Sequence, residues 1–450
     1  MELRRLVDGI EESPEFSELV NATEEQFPRE SNLSHYVVDH LGAAKKLPPH
    51  HPDVRNFFRR SGYYNALHGG NDVDVVAALG RFVGEFRKDE IQIRYLVALG
   101  GINFQLNANV MEFERFKLRR FSSEELKEIF QNDVNDIFYQ SKTLSRDDLM
   151  FSEPYWFIDV LGFEPREEGV AKSDEINNDL LPSVEEEFGA FPKTVASVLD
   201  PFILCDWNSF DPLSPTFEFS VPFILEISND LRDEPRKVPA IVGMCGGDGD
   251  YDIDWDVELN GVQSSSFHHS LSQLDSILAR LRFIECEWRF LDVALLFYRY
   301  AFVARGRQQL LSHVMVLEAL LGEKGKEGLT MRNRLAFALG ETDREREDEI
   351  RKSFKDLYEL RSRLVHGDEK VLDQRTMYTH LREARNLARR TLVWFLHYLG
   401  HVELTRNGRP RPTRKKLLNV LDPQDRSSES VKDLLENLPP DFPSTRDWLC

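Results

Sequence analysis

Arginine and histidine recur at similar short spacings in this sequence. Arg29/His35, Arg307/His313, Arg361/His366, Arg375/His380 and Arg390/His397 each leave four to six residues between the cation and the imidazole. On a helix this spacing separates the two by one to two turns. A forked guanidinium that grips an anion and an imidazole that titrates near neutrality can then serve the same small group. Spacing alone does not choose among five pairs, so the surroundings must.

The surroundings favour one pair. In Leu357-Tyr358-Glu359-Leu360-Arg361-Ser362-Arg363-Leu364-Val365-His366-Gly367, a helical period of about 100° per residue puts Arg361 at the centre of an apolar stripe. That stripe is made of Ile350, Phe354, Leu357, Tyr358, Leu364 and Val365. An arginine so placed needs an anion, a partner or a site, because desolvating it alone is costly. Ser362 and His366 fall on the adjoining flank, one turn apart, with Glu359 one turn earlier. Gly367 suits a C′ stop, which places His366 in the last turn, where the helix dipole favours imidazolium and the nearby arginine opposes it. Two readings follow from these residues: a site facing a cleft, or an arginine salt-bridged within a bundle beside a histidine that merely ends a helix.

The elements that must position the pair read as helices. After about residue 265 the pattern predicts helices over 267–283, 286–304, 308–322, 329–340, 344–366 and 375–400, separated by Gly306, Gly322, Gly328, Gly340 and Gly367. Short connections between helices of this length predict an antiparallel bundle over 265–404. Upstream, from about 90 to 262, the period changes to two. Ile102, Phe104 and Leu106 alternate, as do Phe116 and Leu118 before a capping box, Ser122 to Glu125. Tyr251, Ile253, Trp255, Val257 and Leu259 alternate with acidic residues, the pattern of a half-buried strand. The proline-rich stretches 212–222 and 235–239 suit loops and edge strands. Residues 1–88 read as mostly helical, interrupted by the turn-rich 47–52 and by Gly69-Gly70, and 405–450 as a basic, proline-containing tail with a short helix near 430–438. The fold class expected is therefore α+β and multidomain: a β-containing N-terminal and middle region followed by an all-α bundle.

Composition excludes several classes. Hydrophobic residues at 41% and charged residues at 30% belong to a folded globular chain. The N-terminal MELRRLVDGIEESPEF lacks the apolar core of a signal peptide, so a cytoplasmic location is expected. The longest apolar run, 288–304, carries Arg289, Asp292 and Arg299, which makes it a core helix and predicts no membrane association. Cys205, Cys245, Cys286 and Cys450 are scattered, which indicates neither zinc nor a disulfide framework. The acidic run 248–254 has Ile253 and Leu259 where a calcium loop needs Gly and Glu. The glycine clusters at 243–249 and 322–328 lack a phosphate loop's ending and read as turns. No metal and no cofactor are expected. A formal charge of −20 argues against general nucleic-acid binding, yet residues 361–416 hold fourteen Lys and Arg against five Asp and Glu.

The run Tyr358-x-x-Arg361-Ser362-x-x-Val365-His366-Gly367 resembles the signature of Apea-like HEPN domains, the higher eukaryote and prokaryote nucleotide-binding superfamily. Leu317-Glu318-Ala319-Leu320-Leu321, followed by Arg332 and Arg334, is similar to the family's preceding helices. The likeness covers about residues 285–400. It implies a helical domain that dimerises through the motif-bearing helices into a composite ribonuclease site. RNA carries its own nucleophile, the 2′-OH, so cleavage without a metal needs a base, an acid and a cation for the developing phosphorane. In that scheme His366 acts as general acid or base, Arg361 stabilises the non-bridging oxygens, and Ser362 holds one or the other. Arg363, Arg375 and Arg382 would follow the RNA backbone. The implied function is a metal-independent endoribonuclease, a toxin-like antiviral or stress effector, leaving 2′,3′-cyclic phosphate ends. Its partners would be RNA, a second copy of the chain, and a trigger ligand sensed by residues 1–262. The alternative is a non-catalytic HEPN module that binds nucleotide or RNA or mediates dimerisation.

Overall fold

Strand pairs that share a buried face start the fold. The computed structural model describes residues 90–99, 102–104, 109–122, 124–126, 155–165, 191–205, 221, 223–228, 236–239, 257–259, 261–282, 288–323, 328–340, 343–367, 374–405 and 410–422. The expectations for residues 1–88, Leu106, the acidic run 248–254 and the glycine cluster at 243–249 lie outside these residues, as do the Arg29/His35 pair and the short helix near 430–438. The strands are β1 (Glu90–Leu99), β2 (Ile102–Phe104), β3 (Val110–Glu112), β4 (Phe116–Phe121), β5 (Tyr155–Pro165), β6 (Phe223–Ser228), β7 (Arg236–Pro239) and β8 (Val257–Leu259). Six of them form one sheet in the order β3-β4-β5-β1-β6-β7, and β2 pairs with β8 in a separate parallel ribbon. In the antiparallel β3-β4-β5 part, Met111 lies opposite Leu118, Leu118 opposite Ile158, and Phe116 opposite Val160. All five side chains are buried, so this register puts them on one inward face. Pro239 ends β7, an edge strand, the kind of position where proline is tolerated in a sheet.

The helices are α1 (Lys193–Leu204), α2 (Gly261–Arg282), α3 (Arg289–Val303), α4 (Gly306–Leu321), α5 (Leu329–Gly340), α6 (Arg344–Val365), α7 (Gln374–Thr405) and α8 (Arg414–Asn419). Between 288 and 405 the described residues are helices joined by short connections, with a lone bridge pairing at Glu323. This is the α+β arrangement with a helical C-terminal part. α2 begins six residues before the expected 267, because residues 261–266, Gly-Val-Gln-Ser-Ser-Ser, carry no apolar period to announce it. α7 runs through Gly400 to Thr405. A Cβ on Gly400 would stand 3.5 Å from the Ile277 side chain of α2, an ordinary van der Waals contact, so this glycine lies within the helix facing α2 rather than at a helix end. Of the five glycines expected at helix ends, Gly306, Gly328 and Gly367 take positive φ. Gly322 is extended.

The chain divides into two compact units, one of residues 1–96, 161–181 and 225–238 and one of 97–160, 182–224 and 239–450. In the first, the described parts are stretches of β1, β5, β6 and β7. In the second, the Phe116 ring of β4 lies 5.6 Å from that of Phe202 in α1, which lies 5.9 Å from Phe267 in α2. This aromatic line joins the inward sheet face to the helices. α3 and α4, linked by two residues, pack along each other, and α7 touches α2, α3, α4, α5 and α6 as the central helix of the bundle. Asp200 of α1 pairs with Arg299 of α3 at 2.7 Å, both buried, which gives the charge in the apolar run 288–304 its partner. Among the described residues no helix is long and apolar enough to cross a membrane.

Residues 410–422 depart from the expected tail. Leu417, Leu418 and Leu421 are buried, and Trp288 Nε1 donates to Pro412 O at 3.1 Å. The Leu417/Leu418/Leu421 cluster is too short to show a period, which is why the sequence reads as a linker.

Gly340, the last residue of α5, is enclosed by the start of α6. A Cβ there would stand 2.4 Å from Glu347 Cγ and 3.4 Å from its Cα. Gly340→Ala is expected to destabilise the protein by about 1–3 kcal/mol through overpacking. Urea unfolding would check this, and an unchanged midpoint would contradict it.

Candidate functional site

α6 is set by its caps. Asp343 accepts from the Glu345 and Arg346 amides at 3.0 and 3.3 Å, and Glu345 and Glu347 sit in the first turn, where the dipole favours them. At the other end Gly367 has φ 72°, a left-handed conformation that suits glycine and stops the helix. His366 is the C-cap rather than part of the last turn, and its amide donates to Ser362 O at 3.0 Å.

The buried line of α6 is Ile350, Phe354, Leu357 and Leu360, with Glu347 at its start. This differs from the expected stripe. Tyr358 and Leu364 are half-buried and Val365 is 53% exposed, so the final turn extends past the packed core and Arg361 flanks the buried line instead of centring it. The Arg361 side chain keeps 27% exposure, and its guanidinium reaches Glu318 of α4, with Nη2 at 3.3 Å from Oε1. It also stands 6.0 Å from the Tyr358 ring centroid, within cation–π range. The His366 side chain is exposed and Ser362 half-buried. Arg361 and His366, five residues apart, are separated by about 7.5 Å along the axis.

Glu318 is the residue that sequence reasoning left without a role. Its signal is a lone carboxylate inside Leu317-Glu318-Ala319-Leu320-Leu321, where both flanks are apolar and Leu317, Leu320 and Leu321 are buried. It supplies the anion an arginine in this position needs. A phosphate arriving at Arg361 would share or displace that carboxylate.

The other pairs differ in accessibility. His313 is fully buried, and burial followed by the charge of Arg385 pushes its pKa down to about 3. Burial likewise lowers His397 to about 4. His380 is half-buried, 3.9 Å from Glu383. Among the described pairs, His366 is the exposed histidine.

The basic segment 361–416 separates into two sets. Arg363 and Arg375 are exposed and Arg382 half-buried. Arg385 and Arg389 are buried, and Arg389 donates to Leu204 O at 3.5 Å. Arg411 pairs with Glu403 at 2.9 Å, and Arg414 donates to backbone carbonyls of α4 and the residue after it. Counting charges along the chain therefore overstates the basic surface. Among the described residues no group of three or more His, Cys, Asp or Glu is arranged to hold a metal ion.

Buried His313 and half-buried His397 predict an acid limb. Their folded pKa values lie below the ordinary 6.5, so between that value and about 4 or about 3 the unfolded chain binds protons that the folded one does not. Stability should fall as pH drops through this window. Urea unfolding at pH 7 and pH 4.5 measures the loss, and His313→Phe should flatten the slope. An unchanged slope in that variant would contradict the assignment.

No family model matches the chain, and no curated protein and no solved structure matches it.

Proposed function

We propose that the chain is a metal-independent endoribonuclease of HEPN type, with its catalytic groups at the end of α6. The observation that carries the reading is the pairing of a partly exposed Arg361, held by Glu318 from a second helix, with an exposed His366 at a glycine-terminated helix end. In the proposed step His366 takes the proton of the RNA 2′-OH, the 2′ oxygen attacks the adjacent phosphorus, and the bond to the 5′ oxygen breaks. The leaving oxygen gains a proton from the acid, supplied by the same site or by the matching helix of a second copy. Arg361 neutralises the charge on the non-bridging oxygens, Ser362 orients one of the two groups, and Arg363, Arg375 and Arg382 follow the strand. In this reading residues 1–262 sense a trigger or restrain the nuclease, and the effector acts against phage or under stress.

Purified protein incubated with total RNA in excess EDTA should still cut it. Activity that appears only on adding a divalent ion would overturn the mechanism. The Arg361–Glu318 ion pair also favours a second reading, a non-catalytic HEPN module that binds RNA or nucleotide or dimerises, because such a pair holds a helix end without any chemistry. That reading predicts RNA retention without cleavage.

A further inference from the structure

The last turn of α4 gathers contacts from three other elements. Helix C-termini leave carbonyls without intrahelical donors, at the negative end of the dipole. Arg414 at the start of α8 donates through Nη2 to Ala319 O at 2.6 Å and to Gly322 O at 2.7 Å. Arg334 of α5 donates through Nη1 to Leu321 O at 2.9 Å. Gly322 N closes the turn onto Glu318 O at 2.9 Å, and a Cβ on Gly322 would stand 2.5 Å from that oxygen. The backbone from Glu318 to Gly322 is thus held by two arginines and by the closing turn.

The donors are fixed in turn. Arg334 is fully buried, with Nε at 2.6 Å from Asp422 Oδ1, and with Nη2 at 3.0 Å from Asp422 Oδ2 and 2.9 Å from Glu323 Oε2. The Arg414 guanidinium lies 5.3 Å from the Phe290 ring centroid. Asp422 and Arg414 both belong to residues 410–422, the segment also fastened by Trp288 to Pro412 O and by Arg411 to Glu403. In the same α4 turn, the Glu318 carboxylate takes Arg361 at 3.3 Å.

We propose that residues 410–422 are a strap that positions the Arg361 site: Arg414 directly, and Asp422 through Arg334, fix the end of α4, which sets Glu318 and through it the Arg361 guanidinium. Arg414 and Asp422 are positioning residues. The inference rests on the ribonuclease reading for its consequence, but not for its geometry.

The test uses the full chain carrying Arg414→Met, Arg414→Lys, Asp422→Asn, Glu318→Gln, and Arg414→Met combined with Glu318→Gln. Arg414→Met should lower kcat about tenfold with KM within about twofold, Arg414→Lys should recover part of the loss, and adding Arg414→Met to Glu318→Gln should cause no further loss. Wild-type kcat in a folded Arg414→Met protein, or a double variant whose loss is the product of the two single losses, would overturn the proposal. Should Arg414→Met fail to fold, Asp422→Asn is read against the same outcomes. Should the wild type cut no RNA, the ribonuclease reading falls by itself and the strap is decided by the Arg361 Nε–Hε resonance in arginine-labelled protein. A shift of that signal in Arg414→Met or Asp422→Asn supports the strap, and an unchanged signal overturns it.

Discussion

His366→Ala is expected to leave a folded protein whose RNA cleavage is lower by about 10²–10⁴-fold, the range supplied by a positioned acid or base. The side chain is exposed at the end of α6 and the helix stop depends on Gly367, so the structural loss should stay within about 1 kcal/mol. Arg361→Lys should also abolish most activity, because an ammonium keeps the charge but loses the forked donors. Arg361→Ala is less clean, since it also breaks the ion pair with a half-buried Glu318. The control is His380→Ala, which removes a half-buried histidine at the same spacing from Arg375 and should cut at the wild-type rate. His313→Ala is a poor control, because it removes a fully buried side chain and would leave a cavity. Gel-based cleavage assays on proteins matched for unfolding midpoint would check the set. A His366→Ala protein that cuts at the wild-type rate would end the catalytic assignment.

The largest expected loss of stability comes from a pair remote from the motif. Arg299 and Asp200 join α3 to α1 with both groups buried, and Arg299→Met would take its arginine partner away from a carboxylate in the core. Removing one partner of a buried pair costs about 3–5 kcal/mol, whereas replacing both by apolar groups is often neutral. Arg299→Met should therefore unfold at markedly lower urea, and Asp200→Leu combined with Arg299→Met should recover most of the difference. A single variant within about 0.5 kcal/mol of wild type, the range of surface substitutions, would show that the pair contributes little.

The elements near the motif were legible because their signals are local. α6 was expected over 344–366 and spans Arg344–Val365, its cap and terminal glycine both readable from residue type. The Ser122–Glu125 capping box is formed in both directions, Ser122 N to Glu125 at 2.9 Å and Glu125 N to Ser122 Oγ at 3.2 Å. α1 was not foreseen. Nine of its twelve residues are buried and it contains Pro201, which interrupts the helical pattern in sequence. The pairing of β2 with β8 joins residues more than 150 positions apart, and no local pattern encodes it.

The site was legible in part. Arg361 and His366 were found from spacing and a glycine stop, but the arginine's partner, 43 residues away on α4, belongs to tertiary packing. Apolar periodicity also extended the stripe to Val365, because a hydrophobic residue beyond the last packed turn looks the same in sequence as a buried one. In the same way the arginines after Arg375 read as one basic surface, whereas burial of Arg385 and Arg389 assigns those two to the interior.

The most direct measurement is the chemistry of the cut. RNA cleaved by the wild-type protein in EDTA should carry 2′,3′-cyclic phosphate and 5′-OH ends, and a substrate with a single 2′-deoxy residue at a mapped site should resist cleavage there. Ends bearing 3′-OH and 5′-phosphate, or cleavage that ignores the 2′-deoxy substitution, would contradict attack by the 2′-OH and the roles given to Arg361 and His366.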